Sequence, residues 1–377
     1  MSADTTIGKN DLTPIAQKIL LPGEFLNTPE QEFSRDMMGL ARAYAPYLGL
    51  DLDRDIVPNL SDSDWWEADY GVSVVDGKEI GMSMKDAFRC LVDVPRTYQL
   101  AQGIAQEVTH LRSRKRTVIG IDAGTGTGIL AMLMVASGID KVYAIEINDQ
   151  THDATQDFLT RLGLSERIVL LKGDATQIVI DQLGEDRADI LVSENLSSGL
   201  MDEPQYAIIN HLSSYLSPDA AIVPFQGQLS VSLSSADWEG VTPGKQEIAE
   251  RRLRRSERVA DPVQYAVVES RPGMNVPIIR NRVAVPTDYK GLINTLLIHT
   301  RFQVNKSGTQ FHLEPDSADF LGKTNAFKLE TGVYAEDGHV VVDIEYEAGR
   351  RAGELVMSGE GNVIILSDPY LAQASGS

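Results

Sequence analysis

The 377-residue chain has one cysteine, Cys90, so it can close no internal disulfide and build no cysteine-based metal site. Its six histidines form no HxxxH or HExxH pair, and no metal is expected. Long apolar runs are also missing. No window approaches the roughly 18 uninterrupted apolar residues of a membrane-crossing helix, and MSADTTIGKNDL has no basic stretch leading into an apolar one. The expectation is a cytoplasmic protein without a membrane partner. Positive charge is scarce as well: 34 Lys and Arg face 54 Asp and Glu, a net charge of −20. Such a field repels nucleic-acid phosphates and favours cationic ligands. Solubility alone would account for the same acidity.

What is present is the composition of an ordinary soluble protein, 42% hydrophobic and 23% charged, long enough for two or three domains. There is no internal repeat or low-complexity tract, so domain boundaries rest on changes of periodicity. From about 10 to 60 the pattern is helical, with Phe33, Met37, Leu40, Ala41 and Tyr44 recurring at spacings of three and four. Residues 1–83 read as an N-terminal helical region, a lid or an element for homodimerisation. Within it, 64–82 reads as loop with short extended pieces, where Trp65, Trp66 and Tyr70 suit core or lid packing. A further helical pattern runs from about 84 to 112.

From 117 strand and helix alternate: strands at 117–122, 141–147, 167–173, 188–194 and 220–225, a buried helix at 129–137, and helices at about 151–162 and 204–216. Such alternation predicts an α/β Rossmann-like fold over 84–225, a doubly wound, mainly parallel sheet with ligands at the carboxyl ends of its strands. Beyond 226 the period becomes two. In VVVDIEYEAG, Val342, Ile344 and Tyr346 alternate with Asp343, Glu345 and Glu347. Residues 226–377 are expected to form an antiparallel, β-rich, barrel-like domain ending in a polar tail, AQASGS.

The loop IDAGTGTGIL (121–130) places glycines at 124, 126 and 128 between a strand and a helix, where a backbone without Cβ atoms can approach a nucleoside closely. Its G-x-G-x-G spacing differs from the G-x-G-x-x-G fingerprint for pyrophosphate. Asp122, just ahead, would oppose a pyrophosphate and suits an ammonium group. The second strand ends in Glu146, able to accept from both ribose hydroxyls, and GDA after the third strand offers Asp174 to an adenine amine. Acids for an amine, a ribose and an adenine together describe S-adenosylmethionine. The loop SENLSSGLMDEP (193–204) then carries two glutamates, Glu194 and Glu203.

With these motifs in view, residues 84–234 resemble the class I S-adenosylmethionine-dependent methyltransferases, and within them the protein arginine methyltransferase family. VDVPRTYQLAQGI (92–104) resembles its D-x-x-R-x-x-x-Y helix, IDAGTGTGIL its glycine motif, VYAIEIN its ribose acid, and ILVSENLSSGLMDEP its two-glutamate loop. YLSPDAAIVP (215–224) looks like the strand that follows. The resemblance implies S-adenosyl-L-methionine as cofactor. Arg96 would pair with its carboxylate, Asp122 and Gly124 would meet the methionine end beside Thr125 and Gly126, Glu146 the ribose, and Asp174 and Ala175 the adenine edge. Glu194 and Glu203 would grip a substrate guanidinium, with Glu194 also beside the cofactor. The implied acceptor is a cationic protein, peptide or small molecule.

The likeness has gaps. Between its glutamates the family usually carries roughly E-W-M-G-Y, where this chain has Asn195, Ser197 and Ser198, which predicts a wider or differently bonded acceptor pocket. The family's Thr-His-Trp loop has no clear counterpart. LIHTRF (297–302) contains His299 beside Thr300 but reads as a strand. A methyltransferase of small guanidines or amines, as in bacterial secondary metabolism, and a non-catalytic scaffold of the same fold therefore stay open.

Overall fold

The computed structural model describes residues 28–51, 74–75, 78–79, 82, 84–241, 247–249, 253, 255–313 and 324–374. Trp65, Trp66 and Tyr70 lie outside the described residues, and so does most of the stretch 64–82. The chain divides into two compact units. Met1–Ser193, Tyr215–Val223 and Val304–Phe311 form the first; Glu194–Ser214, Pro224–Gln303 and His312–Ser377 form the second.

The first unit opens, among its described residues, with α1 (Glu30–Tyr44), whose buried side chains are Phe33, Met37, Leu40, Ala41 and Tyr44. The expected three-and-four stripe is thus the packed face. The stretch 84–112, read as one helical pattern, is two helices, α2 (Met84–Val92) and α3 (Val94–Arg112). They divide at Asp93 for a local reason. Pro95 has no amide to give to a continuing helix, and the Asp93 carboxylate caps the new start by accepting from the Arg96 amide at 3.4 Å.

Five strands follow: β1 (Ile119–Ala123), β2 (Lys141–Glu146), β3 (Ile168–Lys172), β4 (Ala188–Ser193) and β5 (Leu216–Val223). Their order is β3-β2-β1-β4-β5, and every pairing is parallel. Between β1 and β2 runs α4 (Ile129–Ala136), an apolar helix in which all eight residues are buried. Burying each of its large side chains stabilises by about 1.5–3 kcal/mol, which fixes the helix that follows the glycine loop. Between β2 and β3 lies α5 (Asp149–Arg161), capped by Asn148 accepting from the Thr151 amide at 3.0 Å. Because β2 flanks β1 on one side and β4 on the other, the carboxyl ends of β1 and β4 form the switch point where open α/β sheets bind ligands.

Two expected boundaries move. The helix placed at 204–216 is α6 (Gln205–Leu212) plus a short 3-10 turn over 213–215, and the strand placed at 220–225 begins at Leu216. Pro218 explains the irregular ladder: it cannot donate a hydrogen bond, and the register on β4 shifts between Ala188, which faces Leu216, and Ile190, which faces Ala221. Residues 304–311 pack on α3, where buried Glu107 accepts from the Lys306 amide at 2.6 Å and the Ser307 amide at 2.8 Å.

The second unit holds α6 and two sheets. Its strands include β6 (Gln226–Ala236), β7 (Ser256–Arg258), β8 (Val263–Glu269), β9 (Ile278–Pro286), β10 (Ile293–Gln303), β11 (Asn325–Val333), β12 (His339–Glu347), β13 (Val356–Glu360) and β14 (Val363–Ser367). One sheet runs β7-β6-β10-β11 with Glu247–Ala249 at its edge, β8 on β6 and His312–Leu313 on β10; the other runs β9-β12-β14-β13. Among the described residues the pairings are antiparallel, as expected of this β-rich domain, with one exception, β12 with β14, which is parallel. In β12, Val342, Ile344 and Tyr346 are buried, as the alternation requires. Pro369–Ala374 closes as a short helix where the tail was expected to begin. Among the described residues no helix is long and apolar enough to cross a membrane.

Candidate functional site

The glycine loop leaves the carboxyl end of β1. Gly124, Gly126 and Gly128 have φ of 75°, 53° and 77°, a left-handed region that other residues enter at a cost. A Cβ on Gly128 would stand 2.9 Å from Thr155 Cγ2 and one on Gly126 3.3 Å from Ala87 Cβ, so the spacing of glycines answers both conformation and room. The amides of Gly124 and Thr125 donate to the Ile145 carbonyl at 3.0 and 2.9 Å, and that of Gly126 to Glu146 Oε2 at 2.8 Å. The Gly126 carbonyl accepts from Thr155 Oγ1 at 2.8 Å. Because that hydroxyl spends its proton there, the buried Tyr44 hydroxyl, 2.8 Å from Thr155 Oγ1, donates to it. A helix of the N-terminal region therefore braces the loop, a role its apolar stripe did not announce.

Of the acids expected around this loop, Asp122 and Glu146 bond to its residues. Asp122 is fully buried at the end of β1 and accepts from the Thr125 hydroxyl. Glu146, only 7% exposed, accepts from the amides of Gly126 and of Asn148, the latter at 2.7 Å. Burial raises its pKa above the ordinary carboxylate value, and the amides of Asn148, Gly126 and Ile147 oppose that rise. Beyond β3, Asp174 Oδ1 accepts from the Thr176 amide and hydroxyl at 2.8 and 2.7 Å, Oδ2 from Gln177 Nε2 at 3.1 Å, and Ala175 is buried beside it. Arg96, in the first turn of α3, sends Nη2 to the Cys90 carbonyl at 3.4 Å, with Nε 3.9 Å from Asp93 Oδ2. The glycine turn and its neighbouring strand ends thus offer backbone and carboxylate acceptors rather than a cationic cradle. That set of acceptors fits a nucleoside carrying ribose hydroxyls and an ammonium, and Arg96 is the residue suited to a carboxylate.

The second acidic loop follows Ser193, the last residue of β4, and belongs to the second unit. Glu194 and Glu203 are both half-buried. The loop's ends are clipped together: the Asn195 amide donates to the buried Gln205 side chain, Oε1, at 3.1 Å. Its middle is bent through the left-handed region at Gly199 (φ 72°), Leu200 (φ 59°) and Asp202 (φ 64°). A leucine there is uncommon, and each such residue stores energy on the order of 1–3 kcal/mol that the surroundings must hold.

The holding groups are far away in sequence. Ser198 Oγ donates to the Ile298 carbonyl at 2.9 Å, and the Gly199 amide donates to Thr300 Oγ1 at 2.6 Å. Tyr346 donates to the Gly199 carbonyl at 2.7 Å. The Gly349 amide donates to the Leu200 carbonyl at 2.8 Å, the Asp202 amide to the Arg350 carbonyl at 2.9 Å, and the Ala352 amide to Asp202 Oδ1 at 2.8 Å. Ser198, one of the small polar residues in the middle of the loop, is therefore a tie to β10. His299 lies on the other face of that strand from Thr300; it is buried with Ser232 Oγ 2.6 Å from Nε2 and Thr324 Oγ1 3.2 Å from Nδ1. Gln205, Thr300 and Tyr346 carried no local signal, because each acts through a bond to a distant or backbone group.

Comparison with known proteins bears on this arrangement. The family model for ribosomal protein L11 methyltransferase matches residues 102–223. Protein arginine N-methyltransferase 7 of Mus musculus is 30% identical over 160 residues, 41% of this chain and 23% of that protein. Its Drosophila melanogaster counterpart is 30% identical over 159 residues, 40% of this chain and 23% of that protein. The chain thus spans less than a quarter of the length of these relatives. Among solved structures, the Trypanosoma brucei PRMT1 enzyme-prozyme heterotetrameric complex with AdoHcy matches with a TM-score of 0.55 at 14% identity, covering 67% of this chain and 84% of that one. The two-part architecture, a Rossmann-like sheet followed by β-rich sheets, is shared with that structure. The chain is thus similar to protein arginine methyltransferases in part of its sequence and in its fold.

Proposed function

We propose that the chain is an S-adenosylmethionine-dependent N-methyltransferase acting on a guanidinium, an arginine-type nitrogen of a protein or peptide. The observation that carries this reading is the pairing of two acidic features in sequence order. Buried Asp122 and Glu146 flank a left-handed glycine turn, and two half-buried glutamates follow β4 on a loop clipped shut by Asn195 and Gln205.

The cofactor would be held by Arg96 at its carboxylate, by Asp122, Gly124, Thr125 and Gly126 at its methionine end, by Glu146 at its ribose, and by Asp174 and Ala175 at its adenine, with Glu194 alongside. An ionised carboxylate offers about four lone-pair positions, so the bonds already made to Glu146 and Asp174 leave each able to accept more. When bound, the cofactor supplies a methyl group activated on a sulfonium. The chain's part is grip and aim. A guanidinium is a planar fork that two carboxylates can hold by charge-assisted bonds. Charge drawn toward the gripped nitrogens leaves electron density on the remaining one, and positioning supplies much of the acceleration. The carboxylates are also the bases nearest to a guanidinium held in this way.

The test is Glu203→Gln and Glu194→Gln, assayed with labelled S-adenosylmethionine and an extract split into macromolecular and small-molecule fractions. Methyl transfer should fall about a thousandfold, while calorimetric cofactor binding persists. Undiminished transfer in either variant would sink the assignment. Label confined to the small-molecule fraction would move the acceptor to a free guanidine or amine, and cofactor binding without any transfer would point to a scaffold.

A further inference from the structure

We infer that Tyr346 and Thr300 are positioning residues for the two-glutamate loop, acting from β12 and β10 on both polar groups of Gly199. The inference rests on the reading of Glu194 and Glu203 as the guanidinium grip. Gly199 lies between them, and a Cβ there would stand 2.9 Å from Met201 Cε and 3.1 Å from Ile298 Cγ2. Its amide ends on Thr300 Oγ1 at 2.6 Å and its carbonyl on the Tyr346 hydroxyl at 2.7 Å. The two peptide planes that meet at Gly199 are thus each held by one buried bond, and neither can rotate without breaking it.

The tyrosine is itself fixed. Its single proton goes to Gly199, so the neighbouring Tyr265 hydroxyl, 2.9 Å away, donates to it. Both tyrosines are buried, and burial raises both pKa values far enough that the relay stays protonated across the working range. The relay Tyr265 to Tyr346 to the Gly199 carbonyl therefore points one way. Three residues of four over 199–202 sit at positive φ, two of them not glycine. The loop relaxes unless something outside it opposes relaxation, and these hydroxyls, with the Gly349 and Ala352 amides, supply that opposition.

Misplacement by about 1 Å can cost a hundredfold in rate, and it acts chiefly on the acceptor, because all the proposed cofactor residues but Glu194 lie outside this loop. The experiment uses the full chain carrying Tyr346→Phe, Thr300→Val or Thr300→Ser, with Tyr265→Phe as a milder variant. Activity per folded molecule, cofactor affinity and amide hydrogen exchange over 196–202 are measured for each. For Tyr346→Phe and Thr300→Val, kcat should fall about ten- to a hundredfold, cofactor affinity should stay within about twofold, and exchange over 196–202 should quicken. Thr300→Ser, which restores the hydroxyl, should recover both kcat and protection. Wild-type exchange and kcat in both Tyr346→Phe and Thr300→Val would overturn the inference, and so would loss in Thr300→Val that Thr300→Ser does not rescue. Should the wild-type chain transfer no methyl group, the exchange arm still decides the positioning, and only the functional reading falls.

Discussion

The glycine loop over 121–130 and the glutamate loop over 193–204 both bend through left-handed backbone after a strand, but they achieve it in opposite ways. The first uses glycine at all three positive-φ positions, 124, 126 and 128, and is wired to neighbours within about one βαβ unit: the Ile145 carbonyl, Glu146 and Thr155. The second spends one glycine, 199, and asks Leu200 and Asp202 to adopt the same conformation. Its ties come from 100 and more residues downstream. Each loop nonetheless ends a tyrosine relay on a glycine carbonyl: Tyr44 through Thr155 to Gly126, and Tyr265 through Tyr346 to Gly199. A loop with glycine wherever φ is positive carries little backbone strain for its neighbours to oppose. A loop without it depends on its scaffold, and that dependence couples the proposed acceptor grip to the β-rich unit.

The sharpest way to break this contrast is to add one methyl group to each loop. In Gly128→Ala the new Cβ meets Thr155 Cγ2 at 2.9 Å, on a branched side chain whose hydroxyl is tied to Gly126. Backbone strain and overpacking together should cost about 2–4 kcal/mol. In Gly199→Ala the nearest atom is the end of Met201, which can move, and Ile298 Cγ2 at 3.1 Å need give only by a few tenths of an ångström. The cost there should be mostly the φ penalty, about 1–2 kcal/mol. Urea unfolding of both variants checks the order; an equal or reversed order would show that the glutamate loop is as tightly seated as the glycine loop.

A second prediction concerns the acid that bridges strand and glycine loop. Burial raises the Glu146 pKa, so the folded state favours the protonated form. The stability contributed by that proton is fully present below the unfolded value of about 4.3 and is lost as pH rises through the higher folded value. At neutral pH the ionised Glu146 therefore carries a burial cost, and Glu146→Gln removes that cost but leaves the Gly126 or the Asn148 amide without its acceptor. Cofactor binding has the opposite sign, because ribose hydroxyls need the ionised acceptor. Affinity for S-adenosylmethionine should weaken on acidification through a pKa above that of an ordinary glutamate. Glu146→Gln should bind more weakly and lose this acid limb, as calorimetry across pH 4.5–7.5 would reveal. A wild-type profile that is flat in this window would detach Glu146 from the ribose.

This asymmetry also explains how far the sequence could be read. The parallel sheet was legible because its strands are apolar runs with turns at their carboxyl ends, and α1 because Phe33, Met37, Leu40, Ala41 and Tyr44 repeat at helical spacing. The glycine loop was legible because glycine itself marks positive φ. The division at Asp93 was hidden behind a continuous apolar pattern, although Pro95 was a signal for it. The parallel pairing of β12 with β14 had no local mark, since alternation records which face is buried and says nothing of direction. In the glutamate loop, the two acids stood out and their supports did not. Ser198 looked like pocket filling and is a tie to the Ile298 carbonyl, while Thr300 looked like the neighbour of a candidate histidine and is itself the group that holds Gly199.

The smallest effect should come from Asp202→Asn, at a residue where the scaffold's hold can be weakened one bond at a time. Aspartate and asparagine tolerate the left-handed region better than most residues, and Asp202 Oδ1 also accepts from the Ala352 amide, whose residue is buried. Asp202→Asn keeps both the conformational tolerance and an oxygen acceptor, and should change stability by less than about 0.5 kcal/mol. Asp202→Ala loses both and leaves a buried amide without its acceptor, at about 1–3 kcal/mol. If the β-rich unit holds the glutamate loop as the contrast with the glycine loop implies, Asp202→Ala should lower methyl transfer per folded molecule while leaving cofactor affinity unchanged. Equal losses in cofactor affinity and transfer would mean that the two loops yield together, and the distinction between a little-strained and a scaffold-held loop would fail.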